Sequence, residues 1–404
     1  MKIAMVSEHA NPLATLGGVD AGGQNVHVAA LAGGLAEQGH DVSVFTRRDD
    51  PSVARRVNTP GGYVVEHVPA GPPTDIPKDQ LLTHMPAFAA YLHARWSDDA
   101  FDLVHAHFWM SGMASVEAVK GLPVPMPVIQ TFHALGSVKR RHQGPRDTSP
   151  PARRNREPWL CQTVDHVIAT CRDEIDELRA LGLDPARETI VPCGVDVHAF
   201  APAPPPDNSR PRLLVLGRLV ERKGVDDVIE ALRLLPDAEL VVAGGPALDS
   251  LSADPEVCRL RGLAAKAGTA DRVHFIGRVA REAVPALIQS VDIVVAVPWY
   301  EPFGMVPLEA MACGRPVVGS AVGGLLDSIV PGETGELVPP RRPDLLSRTL
   351  ADLLGDRSRR AAYGTAGFTR ASTLYRWERI AAETEAVYES VLARTKPTAA
   401  EALR

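Results

Sequence analysis

Short runs of apolar, β-branched residues alternate with amphipathic stretches along nearly the whole chain, and this alternation constrains the fold more than any other feature. The first run, residues 2–7, is followed by a glycine-rich turn and an alanine-rich stretch that predicts a helix over about 22–39. Several later runs are apolar at almost every position, as parallel strands are when helices cover both faces of their sheet. The pattern therefore predicts an α/β protein built from doubly wound parallel sheets.

A proline-rich segment divides this alternation into two halves. The runs before it predict strands at 2–7, 41–46, 63–67, 102–106, 128–131, 166–169 and 189–192, and those after it at 212–217, 239–243, 272–276, 292–297 and 316–320. Because its prolines donate no backbone hydrogen bonds, segment 201–211 is predicted to be a linker. We expect Rossmann-like domains over 1–200 and 212–375, with a last helix, about 376–404, packing back on the first. Ligands of such sheets bind at the carboxyl ends of the strands, so the cleft between the domains is the expected site.

Composition narrows the class of partner. Among the 404 residues, 43 Lys and Arg oppose 49 Asp and Glu without long runs of one charge, which argues against nucleic acid or a polybasic membrane anchor. The five cysteines show no C-x-x-C spacing, so neither a zinc site nor a disulfide framework is expected. No segment approaches about 18 uninterrupted apolar residues and no signal peptide is recognisable. We expect a cytoplasmic protein without membrane insertion.

The loop after the first strand contains two glycine pairs, Gly17-Gly18 and Gly22-Gly23, just before a helix. Glycines let the backbone approach a ligand closely, and the amides at a helix start attract anions. The loop matches neither G-x-G-x-x-G nor the G-K-[ST] of a P-loop, which disfavours a nicotinamide or nucleoside-triphosphate site. A glycine-rich turn without any ligand is the alternative.

The second half carries a stronger pattern, in which Glu301 and Glu309 are seven residues apart around a helix start near Met305. The two carboxylates can then reach different parts of one elongated ligand, while backbone amides of 304–306 face negative charge between them. Solvated surface glutamates are the alternative, but the neighbouring residues are largely apolar.

Two cations follow the first strand of the second half. Arg218 comes directly after the strand and Lys223 lies five residues later, before another helix. A guanidinium can bind a diphosphate with two hydrogen bonds, and an ammonium acts as a mobile point charge. Either residue alone is equally compatible with an ordinary surface position.

Taken together, Arg218-(x4)-Lys223-Gly224, Glu301-(x7)-Glu309, the glycine pairs and Thr131-Phe132-His133 resemble the retaining GT-B glycosyltransferases of family 4. The resemblance covers essentially the whole chain. The opening sequence through 22–28 and 39–47 is most similar to the branch of sucrose-phosphate synthases and mycothiol glycosyltransferases. The family is expected to transfer a hexose-like sugar from a nucleotide diphosphate sugar, with a UDP-sugar favoured, to a small polar acceptor.

The resemblance also implies roles for particular residues. The implied catalytic residues are His133, Arg218, Lys223 and Glu301. The implied donor-binding residues are Gly23, Arg218, Lys223, Val279, Glu301, Phe303, Gly304, Met305, Val306 and Glu309. The implied acceptor-binding residues are Asn25, Lys78, Phe108, Ala134 and Arg154.

No metal or cofactor is expected. The chain contains no Asp-x-Asp, which disfavours metal-dependent GT-A chemistry and suggests that protein cations neutralise the diphosphate. His105 and His107 follow one strand without a third ligand candidate nearby in sequence, so they do not predict a metal site. The expected partners are the donor and the acceptor, with a homodimer as the oligomeric form considered.

Departures from the family leave the acceptor open. Phe108 and Ala134 stand where mycothiol enzymes typically carry Tyr and Thr, which removes two hydroxyl ligands for an acceptor phosphate. Lys78 and the pair Arg153-Arg154 remain as possible cations beside the acceptor. A phosphorylated acceptor and an unphosphorylated sugar, cyclitol or aminocyclitol are both compatible with these residues. A sugar-nucleotide epimerase of the same fold and a catalytically silent nucleotide-sugar-binding protein are the alternative functions.

Overall fold

The structure is a computed structural model that describes residues 1–14 and 22–395. These residues form two compact units. The first unit comprises residues 1–14, 22–192 and 377–395, and the second comprises residues 193–376. Gly17 and Gly18 lie outside the described residues.

Helices and strands alternate through both units. The strands are β1 (Lys2–Val6), β2 (Asp41–Arg47), β3 (Arg56–Asn58), β4 (Val64–Val68), β5 (Leu103–His107), β6 (Val128–Thr131), β7 (His166–Ala169), β8 (Glu188–Ile190), β9 (Arg212–Leu216), β10 (Glu239–Ala243), β11 (Val273–Gly277), β12 (Ile293–Ala296), β13 (Val317–Ser320) and β14 (Gly335–Val338). The α-helices are α1 (Gly23–Glu37), α2 (Met85–Asp98), α3 (Trp109–Ala118), α4 (Gly136–Gln143), α5 (Arg153–Thr163), α6 (Arg172–Ala180), α7 (Val225–Leu232), α8 (Pro255–Lys266), α9 (Val284–Gln289), α10 (Met305–Ala312), α11 (Leu325–Ser328), α12 (Pro343–Gly355), α13 (Arg357–Leu374) and α14 (Trp377–Thr395).

The first unit contains an eight-stranded sheet in the order β3-β4-β2-β1-β5-β6-β7-β8. Along β1, Ile3 and Met5 face one apolar cluster and Ala4 and Val6 face the other. Since successive side chains of a strand point to opposite faces, both faces of the sheet are covered and β1 is apolar at every inner position. All neighbouring strands pair in parallel except β3, which pairs with β4 in the antiparallel sense.

The second unit contains a six-stranded sheet in the order β11-β10-β9-β12-β13-β14, and every pair is parallel. Its core joins residues of β9 and β10 to the apolar face of α7 through side chains such as Leu213, Val228 and Leu240, which are fully buried. The predicted class, an α/β protein with two doubly wound parallel sheets, is therefore confirmed.

The proline-rich residues 201–211 belong to the second unit. The buried guanidinium of Arg315 donates hydrogen bonds to the carbonyls of Ala203 at 3.1 Å and Pro204 at 2.6 Å. The side-chain amide of Gln289 donates to the carbonyl of Ala201 at 2.8 Å. Prolines cannot donate backbone hydrogen bonds, but their carbonyls accept, and these donors fix the segment against its own unit.

The last helix, α14, belongs to the first unit and packs against α1, where an added Cβ at Gly34 would lie 3.0 Å from Cβ of Ala381. Ile380 and Tyr388 of α14 are fully buried in the same apolar cluster as Ile3. None of the helices within 1–14 and 22–395 combines the length and the apolar character that crossing a bilayer requires.

Candidate active site

Each sheet has one point at which its strand order reverses direction. In the first sheet this point lies between β1 and β5, and in the second it lies between β9 and β12. At this point the connections from two neighbouring strands run to opposite faces of the sheet. A crevice opens between the connections, at the carboxyl ends of the strands. The loops after these four strands contain Gly22-Gly23, Phe108, Arg218-Lys223 and Glu301, so the candidate residues occupy the positions at which open α/β sheets bind ligands.

In the second unit, a cluster of charge links the loops after β9 and β12. The ammonium of Lys223 donates to the carboxylate of Glu301, and Nη1 of Arg222 lies 3.8 Å from Oε2 of the same carboxylate. Burial favours the neutral acid, but Lys223 and Arg222 outweigh it and hold the pKa of Glu301 below its ordinary value. Arg218 is half-buried and contributes to the same field. The cluster carries an excess of positive charge.

Close backbone contacts fix the geometry of this cluster. Gly224, which ends the turn after Lys223, has a φ of 70°, and an added Cβ there would lie 2.2 Å from the carbonyl oxygen of Val297. On the other side, Cβ atoms at Gly323 and Gly324 would lie 1.9 Å from the carbonyl oxygen of Glu301 and 2.4 Å from Cα of Phe303. Only glycine permits these approaches. Backbone atoms that follow β12 therefore lie in direct contact with the loops after β9 and β13.

Helix α10 begins at the end of the Glu301 loop. Phe303 is buried, Gly304 has a φ of 89°, and Met305 and Val306 form the first turn. The N-cap residue, Gly304, has no side chain with which to cap this end. The first amides of a helix lack partners within it and carry partial positive charge, so this turn can bind an anion or hydroxyl oxygens.

Glu309 lies one turn inside α10 and is 3% exposed. Its Oε1 accepts a hydrogen bond from Nη1 of Arg281 at 2.5 Å, and the Arg281 guanidinium lies over the ring of Phe200, 4.6 Å from its centre. Arg281 belongs to the loop that follows β11, and the half-buried Val279 precedes it in that loop. The structure thus brings the loop containing Val279 to the carboxylate of Glu309.

In the first unit, the amide of Asn25 holds the start of α1. Its Oδ1 accepts from the backbone N–H of Gly22 at 2.9 Å, and its Nδ2 donates to the carbonyl of Asn11 at 2.9 Å. Gly23 is the first residue of α1, whose N-cap Gly22 provides no side chain. The Asn25 amide is therefore engaged in shaping the loop whose backbone leads into Gly23.

Two non-glycine residues at the ends of neighbouring strands have left-handed backbone conformations. Phe108, after β5, has a φ of 83°, and His133, after β6, has a φ of 60°. Residues other than glycine adopt such conformations at a cost of about 1–3 kcal/mol, and these conformations are concentrated at functional sites. The conformation of His133 is accompanied by a hydrogen bond between its Nε2 and Nδ1 of His107 at 2.9 Å.

His133 and three further histidines form a neutral array. Burial lowers the pKa of His27 to about 4 and that of His105 to about 3, and it holds the pKa values of His107 and His133 well below 6.5. Ring nitrogens of His27, His107 and His133 lie within 4.8 Å of one another, a grouping that could also hold a metal ion. The sequence offered no third ligand beside His105 and His107, because His27 is supplied by α1 and His133 by the loop after β6.

The loop after His133 is fixed by a buried ion pair. Nε of Arg153 donates to Oε1 of Glu157 at 2.6 Å, and Nη2 of Arg153 donates to the carbonyl of Ala134 at 2.5 Å. The backbone N–H of Gly136 donates to both oxygens of Glu157 at 3.0 Å. The Arg153 guanidinium also lies 5.0 Å from the centre of the Phe108 ring. Arg153, rather than its neighbour Arg154, brings Phe108 and Ala134 together.

The remaining candidate cations lie in different environments. Arg154 is exposed, and Lys78 is half-buried at the start of a 3-10 helix, Lys78–His84. Asp79 in that helix lies 3.6 Å from the ammonium of Lys139, which also lies 3.1 Å from Asp147. The segment containing Lys78 therefore meets α4, and Lys139 is neutralised there by two carboxylates.

Sequence reasoning missed several residues that shape these sites. Arg222, Arg281 and Arg153 each reach a candidate residue through a side-chain contact. Gly323-Gly324, which two residues separate from the end of β13, carries a readable signal, since a glycine pair shortly after a strand indicates a close backbone approach. The arginines gave no such signal in a chain that is rich in arginine.

Two doubly wound parallel sheets with polar and charged loops at both switch points are the architecture of the GT-B class of glycosyltransferases. Comparison with known families agrees. Residues 21–199 match the family described as "Glycosyltransferase Family 4", and residues 198–370 match the family described as "Glycosyl transferases group 1".

Relatives cover nearly the whole chain. It is 35% identical to a D-inositol 3-phosphate glycosyltransferase of Xylanimonas cellulosilytica, with 97% of each chain covered. It is 36% identical to the enzyme of that name from Kineococcus radiotolerans, with 96% of this chain and 94% of the relative covered. A sucrose-phosphate synthase structure from Thermosynechococcus elongatus superposes with a TM-score of 0.89 at 31% identity, covering 98% of this chain and all of the other. The chain belongs to the family 4 glycosyltransferases, and it is a glycosyltransferase.

Proposed function

We propose that this glycosyltransferase moves a hexose-like sugar from a nucleotide diphosphate sugar, with a UDP-sugar favoured, to a hydroxyl of a cyclitol or sugar, with retention of anomeric configuration. The observation that carries the donor half is the cluster of Lys223, Arg222 and Glu301 beside the start of α10. An excess of cationic charge next to the first amides of a helix suits a diphosphate, and an ionised carboxylate suits sugar hydroxyls.

In the proposed reaction, the bond between the anomeric carbon and the diphosphate oxygen breaks, and the acceptor hydroxyl oxygen bonds to that carbon on the same face. The hydroxyl proton passes to the leaving diphosphate. Arg218, Lys223 and the amides of Met305 and Val306 would stabilise the charge that grows on the leaving oxygen, without a metal ion. Glu309 would bind the ribose, the backbone near Val279 the base, and Glu301 with Phe303 and Gly304 the sugar hydroxyls. Gly23 and His133 would contact the donor from the first unit.

The acceptor half of the proposal starts from the names of the relatives, which identify D-inositol 3-phosphate as their acceptor. In this chain Asn25, Lys78, Phe108, Ala134 and Arg154 would surround the acceptor. We propose a phosphorylated cyclitol as the first candidate, with Lys78 and Arg154 facing the phosphate.

A second candidate acceptor is the unphosphorylated cyclitol or sugar. Two cations of this region, Arg153 and Lys139, are already paired with carboxylates, and Phe108 and Ala134 provide no hydroxyl. Each of these features lowers the capacity of the region to bind a dianion.

The test combines UDP-, GDP- and ADP-glucose in turn with D-inositol 3-phosphate or with inositol, and product is detected by mass spectrometry. Product from one donor with either acceptor supports the proposal, and an α-configured product from an α-linked donor supports retention. The same reaction with a chelator tests metal independence, and turnover should stay within about twofold. Rearranged donor in the absence of any acceptor would instead indicate an epimerase. Donor binding without transfer or hydrolysis would indicate a silent binding protein.

A further inference from the structure

His107 is fully buried at the end of β5, and its ring is hydrogen-bonded to the residue proposed to contact the donor sugar. We propose that His107 is a positioning residue that fixes the orientation and the tautomer of His133, so that His133 presents Nδ1–H as a hydrogen-bond donor to the sugar nucleotide. The inference rests on the proposed function for the role of His133. The tautomer itself can be measured independently of that role.

The hydrogen bonds of the neighbouring ring, His105, fix its tautomer. The hydroxyl of Thr131 donates its only proton to the carbonyl of Ile168 at 2.9 Å, so it can only accept from Nε2 of His105, which lies 2.9 Å away. His105 therefore carries its proton on Nε2. Its Nδ1 accepts from the hydroxyl of Tyr388 at 2.7 Å. Both nitrogens of His105 are thus satisfied, and neither serves His107.

The surroundings of the two ring nitrogens of His107 decide which of them carries the proton. Nδ1 of His107 and Nε2 of His133 lie 2.9 Å apart, so one of these nitrogens carries the proton of the hydrogen bond and the other accepts it. Nε2 of His107 is buried and has no hydrogen-bond partner among residues 1–14 and 22–395. A buried N–H without an acceptor is rarer in proteins than a buried acceptor without a donor. The proton of His107 therefore lies on Nδ1 and is donated to Nε2 of His133.

The tautomer of His133 follows from that of His107. Since its Nε2 accepts the hydrogen bond from His107, its single proton lies on Nδ1. Its orientation is restricted by two rings, because the imidazole stacks on His107 with centres 5.1 Å apart and meets the edge of His27 at 4.9 Å. His27 is in turn packed against Trp377 of α14. A ring held in this way offers one fixed donor to a ligand.

The experiment compares His107→Leu with His107→Asn and records kcat and the donor KM of each with the best substrate pair. The asparagine amide can place an N–H near the position of Nδ1, whereas leucine fills similar space without a donor. We expect His107→Leu to lower kcat about 10- to 100-fold and His107→Asn to recover most of the loss, as for other residues that orient a functional histidine. Equal activity of the two folded variants would overturn the inference.

Ring ¹⁵N chemical shifts of ¹⁵N-histidine-labelled wild-type protein give a second readout that needs no variant to fold. His133 should show a protonated Nδ1 and an unprotonated Nε2, and the reverse assignment would overturn the inference. His133→Ala separates this outcome from the proposed function. Full activity of His133→Ala would reject the role of His133 in transfer, while the shifts of the wild-type protein would still decide the tautomer.

Discussion

Arg153 and Glu157, one helical turn apart on α5, form an ion pair at 2.6 Å in which both side chains are almost completely buried, with 3% and 1% exposed. The pair organises residues 134–136, because Arg153 binds the carbonyl of Ala134 and Glu157 accepts from the N–H of Gly136. The hydrogen-bond partners of the pair named here all lie within the first unit. Its contribution is to the shape of the loop after His133.

Substitutions of the two adjacent arginines, Arg153 and Arg154, should therefore affect different properties of the protein. Arg153→Ala leaves Glu157 buried without its partner, which should cost about 3–5 kcal/mol of unfolding free energy. Arg154→Ala removes an exposed side chain and should change stability by less than about 0.5 kcal/mol while raising the acceptor KM. Urea unfolding and acceptor titrations measure the two effects. Comparable destabilisation by both variants would contradict this assignment.

The cationic cluster of the second unit leads to a prediction about turnover. Lys223→Ala or Arg218→Ala should lower kcat about 100- to 1000-fold, because each is proposed to stabilise charge on the leaving diphosphate. Lys266→Ala is the matched control, since Lys266 is an exposed lysine in the last turn of α8. Steady-state rates and thermal unfolding should be measured together. Near-wild-type turnover in both cluster variants would reject the proposed role.

The fold and the location of these charged loops could be predicted from the sequence. Alternating apolar runs fix the strands, and parallel strands present their carboxyl ends at one edge, so Lys223 and Glu301 were both expected at that edge. Their direct contact, across 78 positions, follows from the pairing of β9 with β12. The edge strand β3 was missed because three residues, only one of them apolar, give no periodic signal. Strand β14 was missed because Gly335-Glu336-Leu337-Val338 is short and begins with glycine.

Side-chain partners could not be predicted in the same way. Which of Arg153 and Arg154 faces the interior depends on how α5 is rotated about its axis. Two adjacent arginines look the same in the sequence, so the sequence does not show which of them is buried. The meeting of His27 with His107 and His133 requires the packing of α1 on the sheet, which places residues 80 and 106 positions apart in contact. These contacts depend on tertiary packing, and a local pattern does not encode them.

Glu309 gives a prediction about nucleotide affinity. Glu309→Gln should weaken binding of the nucleoside diphosphate roughly 10- to 100-fold, because a neutral amide replaces the charged acceptor proposed for the ribose hydroxyls. Glu282→Gln is the control, since Glu282 is an exposed carboxylate beside Arg281 on the loop after β11. Calorimetric titration with UDP, GDP and ADP measures the change. Equal affinities of the two variants would show that the ribose lies elsewhere.

The buried histidines make stability depend on pH on the acid side. The pKa of His27 is about 4 in the folded protein because of burial, and about 6.5 in the unfolded chain. Between these values the unfolded state binds more protons, so the contribution of the neutral ring is complete above pH 6.5 and is lost as the pH falls towards 4.

His27→Phe removes this loss. The decrease in unfolding free energy from pH 7 to pH 4 should shrink by about 3 kcal/mol, measured by urea unfolding at each pH. His198→Phe, which replaces an exposed histidine ring by the same side chain, is the matched control. If His27→Phe follows the wild-type pH dependence, then the pKa of His27 is not lowered in the folded protein and the neutral array around His133 is incorrect.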